Sequence, residues 1–242
     1  SDDVFPGDGR NLNREFPGDA NGSETQRLAA YIEREVTGKA DFVIDLHSGG
    51  GDENLTPHVY FHGSAAPEVC AQSEHMARYV NVKYIVRSWA ENGLYSYAGQ
   101  MGVPSILIER GECGLWSDEE AEADAADVLN ILRMLGALKD GIAPVDRQPR
   151  VLDGVKEFGF NMLTTANNHA MDYSHAGLLK TLEYLQAAGL PTCGTGRSLA
   201  EAAAPIYLDA PGGRYAVIGA CSTFYPDAMA GEQTRTMPGR PG

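Results

Sequence analysis

The sequence predicts an α/β protein made of two partial α/β units, and two observations support this prediction. Short apolar segments with the composition of buried β-strands alternate with longer segments in which apolar residues recur at helical spacing. The alternation stops near residue 140, at a segment rich in Pro, Gly and charge, and then begins again. We therefore expect a mostly parallel sheet with flanking helices, followed by a shorter βαβ segment.

The elements of the first unit follow one another from residue 23. Ser23 is expected to cap a helix over 23–36, in which Leu28, Ile32 and Val36 share one face. The segment "DFVIDL" then has the apolar content of a buried strand. The same alternation predicts a helix over 67–80, a strand at 83–88, a helix near 95–101, a strand at 105–110 and a long helix over 117–138 with acids at its N-terminal end.

The second unit is predicted from a strand, a helix and a second strand. The two strands are "NMLTTA" and "RYAVIGACS". Between them, Leu178, Leu182 and Leu185 lie on one face of a helix that ends near Gly189.

The charge balance changes between the two units. Residues 1–145 carry 24 acidic and 11 basic side chains, whereas the rest of the chain carries 9 and 8. With the break in periodicity, this change predicts a first domain at 1–140, a linker at 141–149 and a second domain at 150–242.

Composition limits the class of protein. The chain has 242 residues, 43% hydrophobic content and a net charge of −14, so it can bury a core but its surface repels phosphate backbones. We expect no nucleic-acid partner. No apolar run is long enough for a membrane span, and we expect a cytoplasmic protein. The four cysteines lack CxxC spacing, which argues against a zinc–thiolate site or a disulfide framework.

Three features of the first unit suggest a site. His47 follows a buried strand and precedes "SGGG", a position where open α/β sheets bind ligands, although a hydrogen-bonded core histidine fits as well. Asn13 and Arg14 place an amide beside a guanidinium fork, which suits a carboxylate or a developing oxyanion. Glu109 ends an apolar strand, where a carboxylate is costly unless it is paired, for example with Arg110, or has a chemical role.

The motifs "DGRNLNREFPGD", "ADFVIDLHSGG" and "GVPSILIERGECG" together resemble the succinylglutamate desuccinylase/aspartoacylase family of zinc carboxypeptidase-like deacylases. The resemblance covers residues 1 to about 140. It implies a zinc ion held by an upstream His-x-x-Glu and by His47, substrate binding by Asn13 and Arg14 with help from Arg10, and Glu109 as the general base.

The sequence departs from the family pattern at one point. Only twelve residues precede Asn13, and they contain no His-x-x-Glu, so we expect the N-terminal part of the family domain to be missing and zinc to bind weakly. His58 and His62 share one face of a strand and offer a different pair of ligands, but surface histidines without a metal also fit this spacing.

A second group of polar residues follows the strand "NMLTTA". Asn167, Asn168, His169 and Asp172 suit either a divalent metal site or an Asn-rich turn. The motifs "ANNHAMDY" and "GTGRSLAEA" resemble the CapA family of poly-γ-glutamate capsule biosynthesis, which is related in fold to calcineurin-like metallophosphoesterases. The resemblance implies a divalent metal, with most ligands expected outside this chain.

Two functions follow from these resemblances. The first is a zinc-dependent hydrolase that cleaves the amide bond of an N-acyl amino acid or a similar peptide-like small molecule, fused to a CapA-like segment. The second is a catalytically incomplete fusion or binding module, or a protein of the CapA type.

Overall fold

The computed structural model describes residues 7–51, 53–143, 145, 149–153, 157, 159–167, 170–171 and 174–221. The chain divides into two compact units, Ser1–Gly154 and Val155–Gly242. No helix in the described part of the chain is both long and apolar enough to cross a bilayer.

The first unit is built around a five-stranded sheet in the order β1-β4-β2-β3-β5. Its strands are β1 (Val43–His47), β2 (His58–His62), β3 (Tyr84–Ser88), β4 (Ser105–Glu109) and β5 (Arg150–Leu152). Three neighbouring pairs are parallel and only β2 runs antiparallel to β4, which confirms the predicted mostly parallel sheet. Strand β5 follows the predicted linker at 141–149 in the chain. It pairs in parallel with β3 and therefore belongs to the sheet of the first unit.

The described part of the first unit also contains the α-helices α1 (Glu24–Glu35), α2 (Pro67–Ala77), α3 (Leu94–Gln100) and α4 (Asp118–Met134). The core lies mainly between β2, β3, β4 and the helices, with Phe61, Met76, Ile85, Ile106 and Ile131 fully buried. Apolar residues alternate with the strand period and recur with the helix period at these positions, so the sequence pattern accounts for the core.

Helix α1 begins as predicted but buries a different face. Ser23 caps it and forms a capping box with Gln26. Thr25 and Ala29 are buried, whereas Leu28 and Val36 of the predicted apolar stripe are exposed. The small residues allow a close backbone approach: a Cβ added at Gly18 would lie 2.3 Å from the amide nitrogen of Ala30.

Helix α4 is fastened to the end of β4 by a buried ion pair. Ser117 caps the helix, and three acidic residues occupy its first turn as predicted. Further along, Arg110 donates to Asp124 and, at 2.6 Å, to Asp127. This contact fixes the backbone immediately after Glu109.

The second unit contains a two-stranded parallel sheet, a helix and a separate hairpin. Strands β6 (Leu163–Thr164) and β7 (Thr192–Cys193) pair in parallel, connected by α5 (Ser174–Ala187). After α6 (Leu199–Ala202), β8 (Ile206–Ala210) and β9 (Gly213–Val217) form an antiparallel hairpin.

The βαβ segment exists, but its closing strand was predicted wrongly. The strand that follows α5 and pairs with β6 is β7, only two residues long, whereas the "RYAV" segment belongs to the hairpin. A two-residue strand leaves too little apolar sequence for a periodicity argument to detect. The likeness of this unit to calcineurin-type phosphoesterases stays a prediction.

Candidate active site at the ends of β1 and β4

The candidate site begins where two neighbouring parallel strands end. Strand register places His47 of β1 directly beside Glu109 of β4. Their side chains approach each other, with His47 Nδ1 3.9 Å from Glu109 Oε1. Their side chains are 31% and 17% exposed, so the C-terminal ends of the two strands hold an imidazole and a carboxyl group that are both partly shielded from water.

The Asn13–Arg14 turn reaches this edge from a loop that is anchored elsewhere. Asn13 Oδ1 accepts a hydrogen bond from the Leu94 backbone at 2.7 Å. The Asn92 side chain donates to the Arg14 carbonyl at 3.0 Å, and the Asn92 carbonyl accepts from the Phe16 backbone. These bonds direct the Asn13 amide nitrogen towards His47, 3.4 Å from Nε2.

Burial raises the pKa of Glu109 to about 7. His47 and Arg14 oppose this shift, while the carboxylates of Glu53 and Asp45 add to it. The carboxyl group is thus placed among other acids in a dry position, the usual way in which a protein makes a carboxylate basic enough for proton transfer near neutral pH.

The pKa of His47 is raised although burial by itself lowers it. A hydrogen bond from the ring to Asp45 and the negative charges of Asp45 and Glu109 outweigh that burial. Tyr60 lies near the same acids, and burial raises its pKa to about 12, so its hydroxyl stays protonated at neutral pH.

Sequence analysis left open an ion pair between Glu109 and Arg110. Arg110 is turned towards α4 and pairs with Asp124 and Asp127, so Glu109 is not held in an ion pair with its neighbour. Arg10 lies 2.9 Å from Glu15 and is 46% exposed. That contact places Arg10 on the outside of the turn.

The described residues do not fit a complete zinc site. None of them form a group of three His, Cys, Asp or Glu side chains placed to hold a metal ion. His58 Nδ1 lies 2.7 Å from the Thr56 carbonyl. Both ring nitrogens of His62 bond to backbone, one accepting from Ser64 and the other donating to Ser96. The sequence contains no His-x-x-Glu, and His47 is the one expected zinc ligand that the structure places at the site.

Sequence reasoning missed Asp45 and the supports of the turn. Asp45 lies two residues before His47 and therefore on the same face of β1, with Oδ1 3.2 Å from Nε2. Strand periodicity within "DLH" was enough to find it. The contribution of Asn92 and Leu94 had no sequence signal, because they are about eighty residues from the turn that they hold.

In the second unit, Asn167 is exposed and follows β6. Asn168, His169 and Asp172 lie outside the described residues, so the divalent metal expected there stays a prediction.

Comparison with known proteins gives two family matches. Residues 4–135, more than half of the chain, match the model of the succinylglutamate desuccinylase/aspartoacylase catalytic domain. Residues 138–240 match the model of the bacterial capsule synthesis protein PGA_cap. Both resemblances drawn from the sequence are confirmed.

Individual relatives divide in the same way. The chain is 47% identical over 151 residues to the N-alpha-acetyl-L-2,4-diaminobutyric acid deacetylase of Halomonas elongata, covering 61% of this chain and 44% of the relative. It is 34% identical over 85 residues to the capsule biosynthesis protein CapA of Bacillus anthracis, covering 35% of this chain and 20% of that protein.

A solved structure supports the first match. The product-bound ectoine utilization protein EutE (DoeB) from Ruegeria pomeroyi superposes with a TM-score of 0.56 at 28% identity, covering 62% of this chain and 46% of that one. The chain spans between 20% and 44% of the length of the curated relatives that it matches.

Proposed function

Because the chain belongs to the succinylglutamate desuccinylase/aspartoacylase family, we propose that its first unit carries the substrate-binding and proton-transfer residues of a hydrolase of N-acyl amino acids. The observation that carries this proposal is the convergence of Asn13, His47 and Glu109 at the paired ends of β1 and β4. Two strands and one anchored loop, distant in sequence, bring an amide donor, an imidazole and a carboxylate together.

In this proposal Arg14 binds the carboxylate of the substrate and Asn13 donates to an oxygen of the substrate. Asn13 suits this role because its Oδ1 is occupied by the Leu94 backbone, which leaves the NH₂ group on the site side. A guanidinium binds a carboxylate through two parallel hydrogen bonds, which fixes orientation as well as affinity.

Glu109 is the general base. It takes a proton from water as the water oxygen forms a bond to the amide carbon, and it returns the proton to the nitrogen as the carbon–nitrogen bond breaks. The products are a carboxylic acid and a free amine. His47 is the residue through which the described chain would contact a zinc ion, and zinc dependence is part of the proposal.

The substrate class is suggested by the relative from Halomonas elongata, whose name specifies an Nα-acetylated diamino acid. A substrate with a second, cationic amine suits a site in which Glu53 and Asp45 add negative charge around Glu109. We propose small Nα-acetyl amino acids with a basic side chain as the substrates.

The first test measures binding of Nα-acetyl-L-2,4-diaminobutyrate to the whole chain by calorimetry. Arg14→Ala is expected to weaken binding by roughly tenfold or more, since hydrogen bonds to charged groups contribute about 1.5–3 kcal/mol. Arg27→Ala, an exposed arginine on α1, is the matched control and should bind normally. Equal affinity in the two variants would remove Arg14 from the site.

The second test measures release of the amine with zinc added. In a preparation of the protein that releases amine, Glu109→Gln should lower kcat by about 10² or more. Its zinc content should not change, because a general base contributes about 10²–10⁴ to the rate without binding the metal. Glu112→Gln, three residues further along, is the control. Unchanged turnover in Glu109→Gln would exclude Glu109 as the base.

A binding module is the second candidate, favoured by the lack of a three-ligand metal group among the described residues. The two functions differ in one result. A binding module binds the acetylated amino acid through Arg14 but releases no amine at any zinc concentration, whereas a hydrolase releases amine in proportion to bound zinc.

A further inference from the structure

The side chain of Asp45 is a carboxylate that is largely buried and only partly hydrogen-bonded. It is 11% exposed, its Oδ1 lies 3.2 Å from His47 Nε2, and its buried Oδ2 has no hydrogen-bond partner among the described residues. Burying a carboxylate with one unsatisfied oxygen destabilises the fold. We therefore look for the function of Asp45 in its contact with His47.

His47 Nε2 has a second neighbour that makes the opposite demand on the ring. Asn13 Nδ2 lies 3.4 Å away, and it must be the nitrogen because the Leu94 backbone N–H identifies the other amide atom as oxygen. A carboxylate needs a hydrogen on Nε2, whereas an NH₂ group needs a lone pair there. In a neutral ring only one of these can be satisfied.

The carboxylate prevails for two physical reasons. It is the closer neighbour, and a hydrogen bond to an ionised acceptor is roughly twice as strong as a neutral one. The other tautomer would also point the Nε2 lone pair at a negative charge, while its Nδ1 hydrogen would face Glu109 Oε1 at 3.9 Å, beyond hydrogen-bond distance.

We propose that Asp45 is a positioning residue that holds neutral His47 in the tautomer with hydrogen on Nε2. The Nδ1 lone pair then faces the side of the ring where Glu109 lies. The NH₂ group of Asn13, which cannot donate to an N–H, is left to donate to the substrate. This inference deepens the proposed function, and it rests on that function only for the use of Nδ1 and Asn13.

The test is a ring ¹⁵N spectrum of the whole chain, recorded well above the pKa of the ring so that the imidazole is neutral. Correlation from the ring carbon-bound hydrogens identifies both nitrogens, and His47→Gln assigns the signal among the six histidines. We expect wild-type His47 to show a protonated Nε2 and an unprotonated Nδ1. A protonated Nδ1 in the wild type overturns the proposal.

Asp45→Asn tests the cause. Without the charge, the ratio of the two tautomers should move towards Nδ1–H by roughly tenfold, since a charged acceptor exceeds a neutral one by about that factor. Asp41→Asn, an exposed acid just before β1, is the matched control and should leave the ratio unchanged. An unchanged ratio in Asp45→Asn overturns the assignment to Asp45.

Two further measurements keep the outcomes separate. If Asp45→Asn does not fold, Asp45→Ser takes its place: it also removes the negative charge beside Nε2, so the same move towards Nδ1–H is expected, and an unchanged ratio overturns the assignment to Asp45. Binding of the acetylated amino acid through Arg14 does not depend on the tautomer. A failed spectrum therefore leaves the hydrolase proposal standing, and failed binding leaves the positioning role of Asp45 standing.

Discussion

Replacing Asp127 with Ala removes one partner of a deeply buried ion pair of the first unit. Asp127 accepts from Arg110 at 2.6 Å and from the Asn81 backbone at 2.8 Å, and the Arg110 and Asp127 side chains are each 6% exposed. The substitution leaves the guanidinium buried with Asp124 as its remaining carboxylate, which is 24% exposed.

The expected cost follows from this geometry. Breaking a buried pair by removing one partner costs about 3–5 kcal/mol. Asp124 still neutralises part of the charge, and Asn81 is exposed so that water can replace its lost bond. We therefore expect the lower end, about 3 kcal/mol of unfolding free energy, or a fall of about 1–2 M in the urea midpoint.

The assay is urea unfolding followed by circular dichroism. The helices α1 to α4 all belong to the first unit and contain most of the described helical residues, so the main change in helical signal follows that unit. Asp118→Ala, an exposed acid in the first turn of α4, is the control and should cost no more than about 1 kcal/mol. If Asp127→Ala costs no more than that control, the pair does not fasten β4 to α4.

Two further predictions concern the edges of the first unit. The pKa of Asp8 lies below its usual range: burial opposes the shift, but hydrogen bonds from Ser23, from the side chain and backbone of Thr25 and from Arg10 outweigh it. A carboxyl whose pKa is lower in the folded state stabilises the fold at pH values above its unfolded pKa, and this stabilisation is lost as pH falls. The unfolding free energy of the wild type should therefore drop below about pH 4, whereas that of Asp8→Asn should be lower at neutral pH and should change less below pH 4. Plots of unfolding free energy against pH that run parallel for the two proteins would contradict this. Limited proteolysis should cut first within 138–150, the region around the predicted linker at 141–149. First cuts inside 40–110 would show that this division of the chain is wrong.

The sequence predicted those elements of the fold that have a regular pattern. The α/β alternation, the cap at Ser23, the strand that ends at Glu109 and the acidic start of α4 are each local, and the structure bears them out. The buried face of α1 does not coincide with its apolar stripe, because the closeness of Gly18 to the helix is a tertiary contact. Backbone approach of that kind overrides the apolar stripe.

For the candidate site, too, the sequence predicted single residues but not the contacts between residues that are distant in the chain. His47 and Glu109 each carried a signal at a strand end, but their pairing depends on which strands become neighbours, and β2 and β3 lie between β1 and β4 in the chain. Strand order cannot be read from periodicity. The turn at Asn13 and Arg14 was visible as a motif, while its direction is set by bonds to Asn92 and Leu94.

This division explains why Asp45 matters more than its place in the sequence suggests. Within "DLH" it is only a polar residue that alternates with an apolar one, and the strand period assigns it to the same face as His47. Its role depends on the arrival of Asn13 at the same ring nitrogen, 34 residues away in the chain. Because β1, β4 and the anchored turn all belong to the first unit, the residues on which the proposed tautomer of His47 and the proposed binding by Arg14 depend lie in that unit.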